Sequence, residues 1–257
     1  MTETKRRQRG NARADRRAKR ERSTRASVPF ITRRVPTFEL ASEEVLALIE
    51  NNADTVLETI GIDFRDDPLA LDLLKQAGAS VEGERVRFPK GMCREIISSS
   101  APAEFTQHAR NPDRSVRIGG NHTVLVPAYG SPFVHDLDKG RRYATLSDFE
   151  NFTRLAYMSP SLHHSGGTLC EPVDLPVNKR HLDMIYSHLR WSDKPFMGSV
   201  THPDRAQDTV DMAKIAFGDD FLDTHCAITS LINANSPMTF DATMLGAARV
   251  YAENNQA

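Results

Sequence analysis

Cysteine is scarce in this chain of 257 residues: Cys93, Cys170 and Cys226 are odd in number and far apart. That excludes a disulfide framework and a cysteine-rich zinc site, both of which need several thiols at defined spacings. A reducing compartment is the simplest match, so the protein is expected to be cytoplasmic. Long hydrophobic runs are missing as well. No stretch approaches the roughly 20 apolar residues of a membrane-spanning helix, and the N-terminus has no apolar core of the kind a secretory signal requires.

Residues 1–27 lack any apolar side chain larger than alanine after Met1. Such a segment buries too little surface to offset its ordering entropy, so it is expected to be a disordered basic tail. Residues 1–25 hold eleven Lys/Arg and three Asp/Glu, a net of +8, while the remainder carries −9. The tail invites two interpretations: an arm for nucleic acid or an acidic surface, or a solvated tail that aids solubility. The second is favoured, because no aromatic residues are interleaved, and nucleic acid is not the expected partner.

Residues 28–122 read as a small helical and β-hairpin region. Ser42 can cap a helix carrying Val45, Leu46, Leu48, Ile49, Val56, Leu57 and Ile60, which ends at Gly61. Pro68 opens a second helix ending at Gly78. Glu82-Gly83-Glu84 joins Ser80-Val81 to Arg85–Phe88 as a hairpin does, and a third helix runs from Pro89 to about Ser99. Short strands are expected at Glu104–His108, Ser115–Ile118 and Thr123–Val126.

From about residue 123 the pattern changes to apolar strand, turn-rich loop and amphipathic helix, repeated four times. Strands are expected near 123–128, 162–167, 195–200 and 225–231, spaced as in βαβ units. A capping box at Ser147–Glu150 opens the first helix, with Phe149, Phe152, Leu155 and Ala156 as its inner stripe. The second has Leu182, Ile185, Tyr186 and Leu189 at i, i+3, i+4 and i+7. The third opens at Pro203, and the fourth carries Met244, Ala248 and Tyr251. One-sided stripes after each strand suit the outer helices of a parallel barrel. The fold class is therefore α/β, a partial (β/α)8 TIM barrel of about four units over residues 123–257. Four units cannot close an eight-stranded barrel, so the chain is expected to be the first half of one, incomplete and inactive alone.

In such folds ligands bind at the C-terminal ends of the strands. Four loops occupy those positions: 127–133, 163–172, 198–203 and 233–237, each rich in Gly, Ser, Pro, Asn or His. His163 and His164 are adjacent on a strand and point to opposite faces, so at least one is structural. Gly166-Gly167 lacks the rest of a phosphate loop. Glu171 can be a helix cap or a ligand group, and Asn233 and Asn235 can be turn builders. Nothing shows a metal-ligand spacing, so no metal site is expected, and no catalytic residue stands out.

The blocks PAYGSPF (127–133), GGTLCEPVDLPVNKRHLDM (166–184), NANSPMTFD (233–241) and YAENNQA (251–257) resemble the trimethylamine methyltransferase family, the amine:corrinoid methyltransferases. The resemblance runs from about residue 30 to the end. It implies a (β/α)8 barrel of roughly twice this length and transfer of a methyl group from trimethylamine, or from a quaternary amine such as glycine betaine, to cobalt. It implies no cofactor held directly: the corrinoid (cobalamin) comes on a separate corrinoid protein, the expected partner, and homo-oligomerisation stays open. A quaternary ammonium requires aromatic faces and carboxylates, which Tyr129, Phe133 and Glu171 offer. For a carboxylate-bearing amine, Asn233, Asn235, Ser131 and His163 offer donors. The family's chemistry belongs to one-carbon metabolism of the methanogenesis type. The rivals are a nucleic-acid-associated protein using the basic arm, and a barrel lyase or isomerase with metal or phosphate at the same loops.

Overall fold

The computed structural model describes residues 28–257, so the basic tail at 1–27 lies outside the described residues. The architecture is mixed α/β, with small sheets distributed among helices and no closed barrel among the described residues.

Strand β1 (Ile31–Thr32) precedes helix α1 (Glu43–Thr59), β2 (Ile62–Arg65), α2 (Pro68–Gln76), β3 (Ser80–Glu82), β4 (Arg85–Arg87) and α3 (Met92–Ser100). Ser42 occupies the N-cap position of α1 in extended conformation, but its side chain makes no capping bond. Gly61 ends the helix at φ +76°, and a Cβ there would lie 2.3 Å from the Val86 carbonyl oxygen. Asp67 caps α2 by accepting from Ala70 N at 3.1 Å. β3 and β4 pair antiparallel around Gly83 as the turn chemistry requires. Not foreseen is the partner of β2. Strand β2 lies between β4 and a segment from the far end of the chain, Thr239–Asp241, which pairs with it in parallel. Phe64, Val86 and Phe88 form the core beneath this sheet, and Phe64 stacks on Phe240 at 5.5 Å.

Next come β5 (Glu104–Gln107), β6 (Val116–Gly119) and β7 (His122–Thr123), which pair antiparallel, with β1 at the edge. A second hairpin, β8 (Phe133–Asp136) and β9 (Gly140–Tyr143), follows. The remaining elements are α4 (Leu146–Met158), α5 (Arg180–Trp191), β10 (Phe196–Met197), α6 (Pro203–Phe217), α7 (Phe221–Thr224), β11 (Ile228–Thr229), β12 (Thr239–Asp241) and α8 (Ala242–Glu253).

The capping box of α4 is displaced from its expected position. Thr145 is the N-cap, accepting from Asp148 N while the Asp148 carboxylate accepts from Thr145 N at 2.9 Å. The buried stripe of α4 is Phe149, Thr153 and Ala156, whereas Leu155 points outward. Four parallel strands were expected from residue 123 onward. Among these four segments one parallel ladder forms, Phe196↔Ile228 and Met197↔Thr229. The other two segments run alongside it through a few backbone bonds rather than a full ladder: His163 N donates to Leu125 O at 3.0 Å, Ser165 N to Pro195 O at 2.8 Å and Met197 N to Gly166 O at 2.9 Å. The physical reason lies in the sequence. Pro127 and Pro195 have no N–H to donate, and Gly166 takes φ +91°, so ladders there cannot extend. Ile185, Phe196, Val210, Leu222, Ile228 and Tyr251 fill the core between this ladder and helices α5, α6 and α8.

Candidate functional site

A cleft of about 280 Å³ opens where the loops after these segments converge. One wall is Tyr129-Gly130, another Gly167-Thr168 with Glu171. The first turn of α5 contributes Arg180 and His181, the next residue after that turn Met184, and the first turn of α6 Arg205. Met197 to Thr201 form the floor, with Leu231, Asn233 and Met244 opposite.

Backbone bonds tie the loops together. Gly130 N donates to Thr168 O at 2.7 Å, and Glu171 N to Ser131 O at 3.0 Å. Gly198 leaves the floor room for Tyr251, because a Cβ there would lie 2.2 Å from the phenol oxygen. Tyr251 Oη donates to Ser199 O at 2.7 Å, and burial pushes its phenol upward in pKa, so it stays a donor. Behind the floor, His188 Nε2 donates to Gly167 O at 2.8 Å and its Nδ1 accepts from Ser165 Oγ at 2.7 Å. Burial lowers the His188 pKa to about 4, which holds the ring neutral in the tautomer these two partners require.

The charged groups at the cleft form two pairs and one remainder. Arg180, with its side chain 12% exposed, donates to Glu171, whose side chain is 48% exposed. His181 Nε2 meets Asp208 Oδ2 at 2.7 Å, and its buried Nδ1 has no partner. Arg205 donates to Thr201 Oγ1 at 2.8 Å and Val177 O at 3.2 Å, and pairs with no carboxylate among the described residues.

Of the residues singled out from sequence, Tyr129, Glu171 and Asn233 line the cleft together. The other four lie elsewhere. Ser131 Oγ bonds to the Phe133 backbone. Phe133 packs on Tyr143 at 4.7 Å in the β8–β9 hairpin, with the Arg141 guanidinium over its ring at 3.7 Å. His163 is buried, its Nδ1 accepting from Leu125 N at 2.9 Å, and burial lowers its pKa. Asn235 donates to Asp241 at 2.7 Å and closes a turn against Thr239. Cys170 is buried, and burial pushes its thiol up to about 12, which removes it as a nucleophile.

Arg180, Arg205 and His181 were not picked out from sequence. A signal for the two arginines was present: both stand in the first turn of a helix, where the macrodipole disfavours cations. Residues that break a local rule of that kind are places to look for a ligand role.

The family model for trimethylamine methyltransferase (MTTB) matches residues 6–257. The chain belongs to the trimethylamine methyltransferase family. It is 45% identical over 227 residues to a glycine betaine methyltransferase from Desulfitobacterium hafniense (strain Y51), covering 87% of this chain and 46% of that protein. It is 26% identical over 176 residues to a proline betaine:corrinoid methyltransferase from Eubacterium limosum, covering 67% of this chain and 35% of that one. The chain thus spans half or less of the length of the curated relatives it matches. Within this trimethylamine methyltransferase family member, three of the four resembling blocks reach the cleft. The first supplies Tyr129, the second Glu171, Arg180 and Met184, and the third Asn233.

Proposed function

We propose that this chain forms one side of the substrate site of a methyltransferase that moves a methyl group from a methylated amine to the cobalt of a corrinoid carried by a separate protein. The observation that carries the proposal is the meeting of Tyr129 and Glu171 at one cleft, on loops 127–133 and 163–172, in a chain of this family. The names of the two relatives, both acting on betaines, favour a quaternary amine over trimethylamine.

A quaternary nitrogen has neither a proton nor a lone pair. It is held by an aromatic face and by carboxylate charge, which Tyr129 and Glu171 provide. Met184, Met197 and Met244 supply polarisable apolar surface for the methyl groups. The corrinoid, when presented, supplies a Co(I) nucleophile for in-line displacement. What the chain contributes is position: a methyl carbon oriented toward the open face of the cleft and shielded on the others, where small misplacements cost large factors in rate.

The architecture proposed for this site is an arc of four consecutive parallel staves of a (β/α)8 barrel. Supporting it, the segments near residues 125, 163–166, 195–198 and 228–229 bond to one another in chain order. No helix among the described residues is long and apolar enough to cross a membrane.

The test is a methyl-transfer assay. A polypeptide of the relatives' length carrying residues 1–257 unchanged is mixed with a corrinoid protein in the Co(I) state and a methylated amine. The expected result is the spectral change from Co(I) to methyl–Co(III) with a quaternary amine. No change with any methylated amine overturns the proposal.

A further inference from the structure

We propose that two copies of this chain form a dimer in which the arm of residues 33–41 of each copy lies across the apolar stripe of helix α1 of the other. The inference is independent of the methyl-transfer reading, since none of these residues lines the cleft.

The arm is the first reason. It joins β1 to α1 without a helix or strand of its own, and Val35, Phe38 and Leu40 within it are 69, 84 and 91% exposed. It is not a loose end. On one side Arg33 N donates to Asn121 O at 2.8 Å, and on the other Ser42 O accepts from Leu46 N at 3.0 Å in the first turn of α1. Held at both ends by its own body, the arm still leaves three large apolar side chains in solvent.

The second reason is α1, in which no residue is buried. One side of the helix is anchored: Leu57 packs against the core of Phe64, Val86 and Phe88, and Arg94 pairs with Glu50 and Asp54. Val45, Ile49, Val56 and Ile60 stand at i, i+4, i+11 and i+15, which is one face of a helix. All four are exposed, as is Leu46 beside them. Single apolar residues are common on any surface, but a contiguous stripe marks an interaction face.

The two surfaces fit each other in size and in charge. At on the order of 100 Å² for a fully exposed aliphatic side chain, arm and stripe together offer roughly 500 Å² of apolar surface per copy, about the apolar share of a standard interface of ~800 Å² per partner. An extended segment as long as the arm reaches roughly 30 Å, and a helix as long as α1 spans about 25 Å, so one arm covers one stripe from end to end. Helix α1 carries Glu43, Glu44, Glu50, Asp54 and Glu58 and no Lys or Arg. Two such helices packed directly on each other would repel. The arm instead places Arg33 and Arg34 next to its apolar residues, and Arg33 donates to Asn121 Oδ1 at 3.3 Å, a neutral acceptor that leaves its charge uncompensated. Exchange of arms sets these cations on the acidic helix of the other copy, and two-fold symmetry makes both contacts at once.

The experiment is sedimentation equilibrium on residues 1–257. The wild type is expected to be a dimer at about 10 μM. Phe38→Ser combined with Leu40→Ser should weaken the dimer by about a hundredfold or more, and Ile49→Ser by about tenfold or more, because each loss counts twice in a two-fold interface. Leu137→Ser, at a fully exposed leucine in the β8–β9 turn, should leave it within about twofold of the wild type. Thermal melts at low, monomeric concentration should agree across the set, because none of these side chains is buried in a single copy. A wild type that stays monomeric at ~100 μM, or a dimer indifferent to the arm and stripe substitutions, overturns the inference. The same variants in a polypeptide of the relatives' length repeat the test. A monomer there whose residues 33–60 resist hydrogen exchange shows that the faces are covered from within one chain, and overturns it as well.

Discussion

Gln107 and His164 meet side chain to side chain, the amide oxygen of Gln107 accepting from His164 Nε2 at 3.1 Å across 57 residues of sequence. The same oxygen accepts from Thr229 Oγ1 at 3.3 Å. The amide nitrogen donates to Phe196 O at 2.8 Å and Ala227 O at 3.2 Å. One fully buried side chain thus holds four groups from three neighbouring segments, doing with side-chain bonds what short ladders leave undone.

Replacing Gln107 by Leu is expected to destabilise the fold by about 3–5 kcal/mol, because it strands the Phe196 and Ala227 carbonyls and the His164 N–H in the interior. Urea denaturation followed by circular dichroism measures this. A loss below about 1 kcal/mol would mean that water or a repacked side chain satisfies those groups.

Stability should fall on mild acidification. Burial lowers His164 to about 3 and His188 to about 4, from an ordinary 6.5. Both rings stay neutral when folded, while the unfolded chain takes up their protons below 6.5. The unfolded state then binds more protons, so stability is complete above pH 6.5 and drains as pH drops toward 4. The slope should be on the order of 1 kcal/mol per pH unit for each histidine. Denaturation midpoints between pH 7 and 5, above the range of most carboxylates, test it. The His164→Asn variant should show a shallower slope.

Thr145→Ala should cost about 1 kcal/mol by removing the acceptor for Asp148 N at the start of α4. Asp148 does more than cap: its carboxylate also takes both guanidinium nitrogens of Arg142, at 2.6 and 2.7 Å, and these bonds hold it well below the usual carboxylate range. Asp148→Ala should therefore cost more than Thr145→Ala in the same thermal melts. The opposite order would show that the Arg142 contacts contribute little.

Gly198→Ala should damage ligand binding more than stability. Its Cβ would press on Tyr251 Oη and on Ile228 Cγ2, which lie 2.2 and 2.9 Å away. The cleft floor at Met197–Ser199 is the softer side of that contact, since Tyr251 is 1% exposed. Calorimetry should show at least a tenfold loss of quaternary-amine affinity, with a melting temperature lowered by only a few degrees.

Tyr129→Ala should weaken quaternary-amine binding by about tenfold, the worth of one cation–π face in a partly desolvated site. Tyr129→Phe should retain most of it, because the ring and not the hydroxyl does the binding. If Phe loses as much as Ala, the hydroxyl is the contact and the aromatic role fails.

Local physics was legible along the chain. The apolar periods marked the helices, Gly83 marked the β3–β4 hairpin, Gly61 the end of α1, and Pro203 the start of α6. Each depends on neighbours within a few residues, so each is written in the residues themselves. The resembling blocks likewise pointed to the loops that line the cleft. Local rules misled at the start of α4: the capping box expected at Ser147–Glu150 forms two residues earlier, with Thr145 as the cap and Asp148 as its partner.

What the tertiary structure alone decided is pairing over long distances. Nothing near Ile62 announces that Thr239–Asp241 will lie beside it, because the partner of a strand is chosen by which edge the packed helices leave open. The width of each strand was decided the same way, prolines and a left-handed glycine reducing expected strands to one or two backbone bonds. The character of the cleft followed suit. The sequence offered an aromatic and a carboxylate for a cation, but charges add only in space. Arg180 and Arg205 lie 25 positions apart in sequence, on separate helices. Their joint field exists only because α5 and α6 aim their first turns at one cavity.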